Sequence, residues 1–260
     1  MLKQLSDTDY GLIGRPLGHS KSKEFFTAYF AAQGSKESYD NFELPALTPE
    51  ALYSLVLLNP QLKGFNVTAP YKVEIMQYLD RISPEAAEAG AVNTVRIVRD
   101  SGGRVTALEG YNTDVEGFRQ SVLPMTEEMP EGSGALILGT GGAAKAVATA
   151  LGKLGIRHTF VSRSASASDT IGYDDITADV IAANPLIINA TPLGTYPDTE
   201  SCPPLPYGLI DSSCFCHDLV YNPATTEFMR RSAERGAKVK NGLEMLHRQA
   251  MASLNIWKTK

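Results

Sequence analysis

The chain has 260 residues, 43% of them hydrophobic and 20% charged, enough to bury one large core or two modest ones without disulfide or metal staples. A net charge of −5 with a pI near 5.5 offers no basic stripe to nucleic acid and no polybasic run to an anionic membrane. No apolar run is long enough to cross a bilayer, and the opening stretch MLKQLSDTDYGLIG lacks the apolar core of a secretion signal.

Tyr10 to Gly14 reads as a first strand. Lys23 to Gln33 carries apolar residues at helical spacing and stops at Gly34, a helix-ending signal. Tyr39 to Leu44 is expected to be a strand, Pro49 to Leu58 a helix and Gly64 to Val67 a third strand. This alternation argues for α/β layers with mostly parallel pairing. Val92 to Val98 and Val105 to Leu108 flank Asp100-Ser101-Gly102-Gly103, a hairpin signal that marks a domain edge. Pro124 to Gly134 reads as a surface loop. A second α/β run follows: strand Ala135 to Leu138, Ala-rich helix Gly142 to Leu154, strands Arg157 to Val161, Leu186 to Asn189 and Phe215 to Val220, and a final helix from Leu243 to Trp257. Cys202, Cys214 and Cys216 have no framework spacing, so buried thiols in a reducing, cytoplasmic setting are expected. His19, His158, His217 and His247 are scattered and signal no metal; a structural role is expected for His19.

Gly139-Thr140-Gly141-Gly142-Ala143-Ala144 fits G-x-G-x-x-A, and it follows a predicted strand and opens a predicted helix. Gly139 permits the tight turn, Gly141 lets backbone approach a pyrophosphate, and Ala144 permits close helix packing. The free N–H groups of the helix start are the expected phosphate donors. The next strand ends in Val161-Ser162-Arg163-Ser164. An NAD site usually places Asp or Glu here to hold the ribose 2′-hydroxyl. Arg163 is either a fork for a 2′-phosphate, which favours NADP, or a solvated surface residue.

Four polar clusters lie outside that region. Ser20 and Ser22 share a face if extended, fit to hold a carboxylate, or Ser22 caps the following helix. Asn66 and Thr68 share a face at a strand end. Lys72 sits at a predicted helix start, where its charge opposes the helix dipole. Asn93 and Thr94 interrupt an apolar strand. Asn112-Thr113-Asp114 begins a helix, and Thr113 with Glu116 makes a T-x-x-E capping box, so Asp114 has a structural reading beside a catalytic one.

The stretches GRPLGHSKS, KGFNVTAPYK, AGAVNT, GYNTDVEGF, LGTGGAAKA, SRS, NATPLG, DLVYNPATTEF and NGLEMLHRQA run in order nearly end to end. Together they resemble the shikimate dehydrogenase family. The resemblance implies two domains: an N-terminal open, mostly parallel α/β substrate domain (1–112) and a Rossmann NADP-binding domain (113–240). A C-terminal helix (241–260) returns to the first, with the active site in the cleft. It implies Ser20 and Ser22 as the carboxylate pair and Asn66, Thr68, Asn93, Asp114 and Gln249 as ring-hydroxyl contacts. Lys72 and Asp114 become the catalytic pair, and Tyr221 a residue beside the substrate. NADP would be held by Gly139, Gly141, Gly142 and Ala143, by Ser162, Arg163 and Ser164, and by Asn189, Thr191, Leu219 and Gly242 near the nicotinamide. The chain departs from the family pattern at Lys23, where Pro is usual, and at Ala167, where a second basic residue is usual. The implied activity is reversible, NADPH-dependent reduction of 3-dehydroshikimate to shikimate by a monomer or homodimer acting on a small molecule. The alternatives are a quinate or dual quinate/shikimate dehydrogenase, or a non-catalytic NADPH-binding regulator.

Overall fold

The computed structural model describes residues 8–18, 20–164 and 169–259; His19 and Ala167 lie outside them. The chain divides into two compact units, Met1–Thr113 with Gln249–Lys260, and Asp114–Arg248.

The first unit runs β1 (Tyr10–Gly14), α1 (Ser22–Ala32), β2 (Tyr39–Glu43), α2 (Pro49–Leu58), β3 (Gly64–Val67), a 3₁₀ turn (Glu74–Tyr78), β4 (Arg81–Ile82), α3 (Pro84–Ala89), β5 (Thr94–Arg99) and β6 (Val105–Tyr111). The sheet order is β2-β1-β3-β5-β6-β4, parallel except where β5 meets β3 and β6. Strand β1 is buried on both faces, which suits its unbroken apolar run. Successive residues alternate between two cores: Tyr10 and Leu12 pack with Phe26, Phe30, Leu254 and Trp257, whereas Ile13 packs with Phe42, Leu52, Phe65 and Val67. The stop at Gly34 takes the expected form: its φ is +62°, and Ser35 N–H returns to the Phe30 carbonyl.

Three local readings change. Strand β6 runs on to Tyr111 because Glu109, which breaks the apolar pattern, is neutralised in the sheet by Arg81 and Arg96, each at 3.0 Å. Lys72 opens no α-helix. It lies in a turn that tightens into the 3₁₀ segment, and its carbonyl accepts Val92 N–H at 2.8 Å. So short a turn has little dipole for a lysine to oppose. Ser22 does not cap α1, whose N-cap is Lys21 without a side-chain bond.

The second unit contains α4 (Thr113–Thr126), whose first residue belongs to the first unit, then β7 (Ala135–Leu138), α5 (Gly142–Lys153), β8 (His158–Val161), β9 (Thr170–Ile171), α6 (Ala178–Ala183), β10 (Leu186–Asn189), β11 (Phe215–Asp218), α7 (Glu227–Glu234), β12 (Lys238–Lys240) and the start of α8 (Leu243–Lys258). The predicted loop at Pro124 begins later, because α4 carries Pro124 inside it and ends at Thr126. All pairings are parallel, in the order β12-β11-β10-β7-β8-β9. Counted from β7, this is the doubly wound order 3-2-1-4-5-6 of a Rossmann fold. Ala144, Ala146, Val147, Ala150 and Leu151 form the buried face of α5. The second half of α8 belongs to the first unit, where Ala250, Leu254 and Trp257 join its core.

Candidate active site

In the first unit the parallel strands β1, β3 and β6 end at one edge of the sheet, and antiparallel β5 begins there. Register places Asn66 beside Thr94, and Thr94 beside Tyr111. This edge carries a buried polar network. Asn93 Oδ1 accepts the Thr113 backbone N–H at 2.7 Å, and its Nδ2 donates to Thr113 Oγ1 at 2.9 Å and towards Gln249 Oε1 at 3.4 Å. Asn66 Nδ2 has three acceptors in reach: the Asn93 carbonyl and Thr94 Oγ1 at 3.1 Å each, and Ser253 Oγ at 2.9 Å. Ser253 also meets Thr94 at 2.8 Å and Thr113 at 3.1 Å. An amide has two hydrogens, so Asn66 Nδ2 is fully used inside the protein.

The other end of Asn66 fixes a proton direction. Tyr39 Oη lies 2.9 Å from Asn66 Oδ1; a carbonyl oxygen cannot donate, so Tyr39 does. Ser22 is the neighbouring hydroxyl that favours the ionised Tyr39 oxygen, against the larger effect of burial. With its one hydrogen on Asn66, Tyr39 has only an acceptor to offer Ser22. Burial holds the Tyr39 hydroxyl well above its ordinary pKa, so it keeps that hydrogen. Ser20 differs: its Oγ accepts Ser22 N–H at 3.3 Å, and its own hydrogen has no acceptor among the described residues.

The remaining predicted substrate residues are placed as follows. Thr68 is half-buried just past β3, its N–H on the Ile13 carbonyl at 2.9 Å. Lys72 is half-buried in its turn. Asn66, Thr68, Asn93, Ser20, Ser22, Lys72 and Gln249 all belong to the first unit, whereas Asp114 and Tyr221 belong to the second. Asp114 is buried in the first turn of α4 and follows Thr113 directly. The proposed capping box is not how its side chains are used: Thr113 Oγ1 joins the network above, and the Glu116 carboxylate is gripped by Arg119 at 2.7 and 2.8 Å. Tyr39 and Ser253 complete the network without having been singled out, and Thr94 and Thr113, noted within polar clusters, without having been given a role at the site. Ser253, four residues after Gln249, had a helical-spacing signal; Tyr39 had none.

In the second unit the glycine loop follows β7, and Asn189 ends β10, with Thr191 just past it. These strands flank the point where the strand order reverses, the usual place for a dinucleotide. Gly139 has φ +104°, and a Cβ there would stand 3.2 Å from Thr191 Cγ2, so only glycine makes this turn. A Cβ on Gly141 would meet no atom within 4 Å, so the backbone there is open to a ligand. Gly141 is the N-cap of α5, with no side-chain cap and no acidic residue in the first turn. The orphan N–H groups and the positive dipole end therefore suit a pyrophosphate. Arg163 is exposed past the end of β8, where an NAD site would carry its carboxylate, and its charge reaches the Tyr173 hydroxyl. Gly242 has another use: a Cβ would fall 2.1 Å from the Leu219 carbonyl oxygen, so it lets two backbones touch.

The C-terminal ends of β10 and β11 are tied through Asp218, which is wholly buried. Its Oδ1 accepts Asn189 Nδ2 and Val220 N–H at 2.9 Å each, and its Oδ2 accepts Thr226 Oγ1 at 2.5 Å. The bond to Val220 turns that N–H away from the sheet, which ends β11 two residues before the predicted limit. Burial raises the Asp218 pKa to about 6, against the pull of these donors. No group of three or more His, Cys, Asp or Glu that could hold a metal occurs among the described residues, and no helix among them is long and apolar enough to cross a membrane.

A Rossmann unit with a bare phosphate-binding helix start, and a second α/β unit with a polar network at one sheet edge, define a dinucleotide-dependent dehydrogenase. The family model described as "Shikimate dehydrogenase substrate binding domain" matches residues 12–95. Shikimate dehydrogenase (NADP(+)) of Symbiobacterium thermophilum is 37% identical, covering 95% of this chain and 87% of that protein. The crystal structure of shikimate dehydrogenase 1 from Peptoclostridium difficile is 37% identical with a TM-score of 0.79, covering 97% of this chain and 92% of that one. Shikimate 5-dehydrogenase from Thermus thermophilus, solved in complex with NADP(H) and shikimate, is 31% identical with a TM-score of 0.81, covering 96% and 93%. The chain belongs to the shikimate dehydrogenase family.

Proposed function

We propose that this chain is an NADP-dependent shikimate dehydrogenase, interconverting 3-dehydroshikimate and shikimate in the supply of chorismate and the aromatic amino acids. The observation that carries the reading is the buried network at the first sheet's edge, which includes Asn66, Asn93 and Gln249, three of the residues that the resemblance assigns to a polyhydroxylated ring acid. NADP supplies or takes the hydride when bound. Gly139, Gly141, Gly142 and Ala143 offer backbone N–H groups to its phosphates, with Ser162, Arg163 and Ser164 at the 2′-phosphate. Thr191 and Leu219 face the nicotinamide, with Asn189 wholly buried behind them, and Gly242 shapes that wall by its contact with Leu219. Ser20 and Ser22 donate to the substrate carboxylate, and Thr68, Asn93 and Gln249 bond the ring hydroxyls. Asn66 offers the ring only the second lone pair of Oδ1. Lys72 gives a proton to the C3 oxygen as hydride reaches carbon, and its charge stabilises the developing alkoxide. Asp114 accepts from a ring hydroxyl and holds it in register, and Tyr221 lines the substrate. Three free thiols, two of them buried, fit a cytoplasmic protein.

The test follows NADPH formation with shikimate, then with quinate, and each again with NAD. Turnover with shikimate and NADP above every other pair is expected. Greater turnover with quinate would move the assignment to a quinate dehydrogenase, and binding without turnover would make the chain a regulator.

A further inference from the structure

The carboxylate of Asp218 has no place in the roles above, although it is the most buried acid of the nucleotide unit and each of its oxygens is engaged. Its bonds help to fix which way the Asn189 amide points, together with the Leu193 carbonyl, which accepts Asn189 Nδ2 at 3.3 Å. Nδ2 faces Asp218 Oδ1, and Asn189 Oδ1 accepts the Thr191 N–H at 3.1 Å and Thr191 Oγ1 at 2.6 Å. A flipped amide would set its oxygen against the carboxylate and the Leu193 carbonyl and its NH₂ against the Thr191 N–H, so these groups together exclude it. The same Asp218 oxygen holds Val220 N–H, while Leu219 N–H reaches the Asn189 carbonyl at 3.0 Å and the Val220 carbonyl accepts Gly242 N–H at 3.1 Å. On the other side, Thr226 bonds Asp218 Oδ2 and also caps α7 through Met229 N–H at 3.3 Å. One buried side chain thus ties the segment after β10, the turn after β11 and the start of α7.

We propose that Asp218 is a positioning residue for the nicotinamide end of the cofactor, holding Asn189, Thr191 and Leu219 as one rigid wall. The inference rests on the reading that Thr191 and Leu219 face the nicotinamide, with Asn189 buried behind them. The glycine loop and Arg163 share none of its bonds, so the adenosine end is left alone.

The test compares two ligands on Asp218→Ala and Asp218→Asn: NADPH, and adenosine 2′,5′-bisphosphate, which has no nicotinamide. Affinities are read by fluorescence quenching and calorimetry, beside kcat and the KM for shikimate. D218A should weaken NADPH by about tenfold or more, the scale of one charge-assisted hydrogen bond, and leave the bisphosphate within about twofold. Turnover should fall while the KM for shikimate holds. D218N keeps an oxygen for Asn189 and Val220 and can donate to Thr226, so it should lose less, about threefold. If D218A does not fold, D218N alone carries the same contrast. Equal weakening of both ligands would show that Asp218 serves the unit's general stability, and unchanged NADPH affinity in either folded variant would also overturn the proposal. A wild-type chain that bound neither ligand would instead defeat the functional reading beneath it.

Discussion

Replacing Tyr39 by Phe is expected to change how much Ser22 contributes to carboxylate binding. Tyr39 gives its one hydrogen to Asn66 Oδ1, so in the free protein the Ser22 hydrogen is expected to point to the Tyr39 oxygen. Ser22 therefore exchanges one bond for another when a carboxylate arrives, whereas Ser20 gains one outright. A hydrogen bond to a charged group is worth about 1.5–3 kcal/mol and a neutral one about 0.5–1.5 kcal/mol. Ser20→Ala should then raise the Kd for shikimate by about ten- to a hundredfold, and Ser22→Ala by only about three- to tenfold. In the Tyr39→Phe background Ser22 has nothing to give up, and S22A should cost as much as S20A, a coupling of about 1 kcal/mol. Y39F also strands Asn66 Oδ1 in a residue only 4% exposed. That costs about 1–3 kcal/mol of stability, at roughly 2–4 °C of Tm per kcal/mol for a chain of this size. The assay is a double-mutant cycle on shikimate affinity by calorimetry, with Tm measured alongside. An S22A penalty that is the same in the wild-type and Y39F backgrounds would refute the proton assignment.

Arg163→Ala should weaken NADP binding by about ten- to a hundredfold and leave NAD binding nearly unchanged; equal losses for both would return Arg163 to the solvated surface. Lys72→Ala should lower kcat by at least about a hundredfold with a much smaller change in shikimate affinity, and Asp114→Asn should also damage kcat in a folded protein. Near-normal turnover with lost affinity would make Lys72 a binding residue. His217 is wholly buried against Phe118, with Lys240 and Glu244 as the charges that reach it, and burial lowers its pKa from 6.5 to about 3. The unfolded chain therefore binds more protons between those values, and stability falls as pH drops below 6.5. From pH 7 to pH 5 the wild type should lose about 2 kcal/mol more than His217→Leu; Asp218, raised to about 6, acts with the opposite sign but is present in both. Parallel denaturation curves at the two pH values would contradict this.

The long elements were legible because each carried a period and a punctuation mark. Strand β1 is a continuous apolar run, α1 ends at Gly34, and β7, the glycine loop and α5 form one pattern. Short elements hid. Helices α3, α6 and α7 span only six, six and eight residues, too few for periodicity, although Ser83, Thr177 and Thr226 cap them and were readable as caps. Lys72 misled because Pro70 and the residues after it look like a helix start, while the Val92 N–H on its carbonyl makes a turn the better solution. Within the candidate site, residues with side chains unlike their surroundings stood out: two serines, Asn66, and Asn93 with Thr94. Tyr39 did not, because an aromatic residue at a strand start reads as core. Only tertiary contact reveals that its hydroxyl bonds Asn66. Asp218 was missed because it fell inside the predicted strand Phe215 to Val220, where nothing local shows that its carboxylate meets Asn189, Val220 and Thr226.

Both sheets concentrate their polar side chains where strands end, and the reason is common to the two. Along β1, β3, β7 and β10 every position is buried, so a polar residue must bring its own partners. At the strand ends the ladder stops, and backbone groups become available to side chains: the Asn93 carbonyl to Asn66, Thr113 N–H to Asn93, Val220 N–H to Asp218 and Thr191 N–H to Asn189. Each polar side chain is thereby locked by backbone that the fold already positions, which stiffens it at no further cost in orphaned groups. A stiff set of donors and acceptors suits a reaction in which the protein's part is to orient a hydride donor and a ring carbon. It follows that a conservative change inside these networks should alter turnover before it alters the fold, whereas the exposed Arg163, with no such lock, should act on cofactor choice alone.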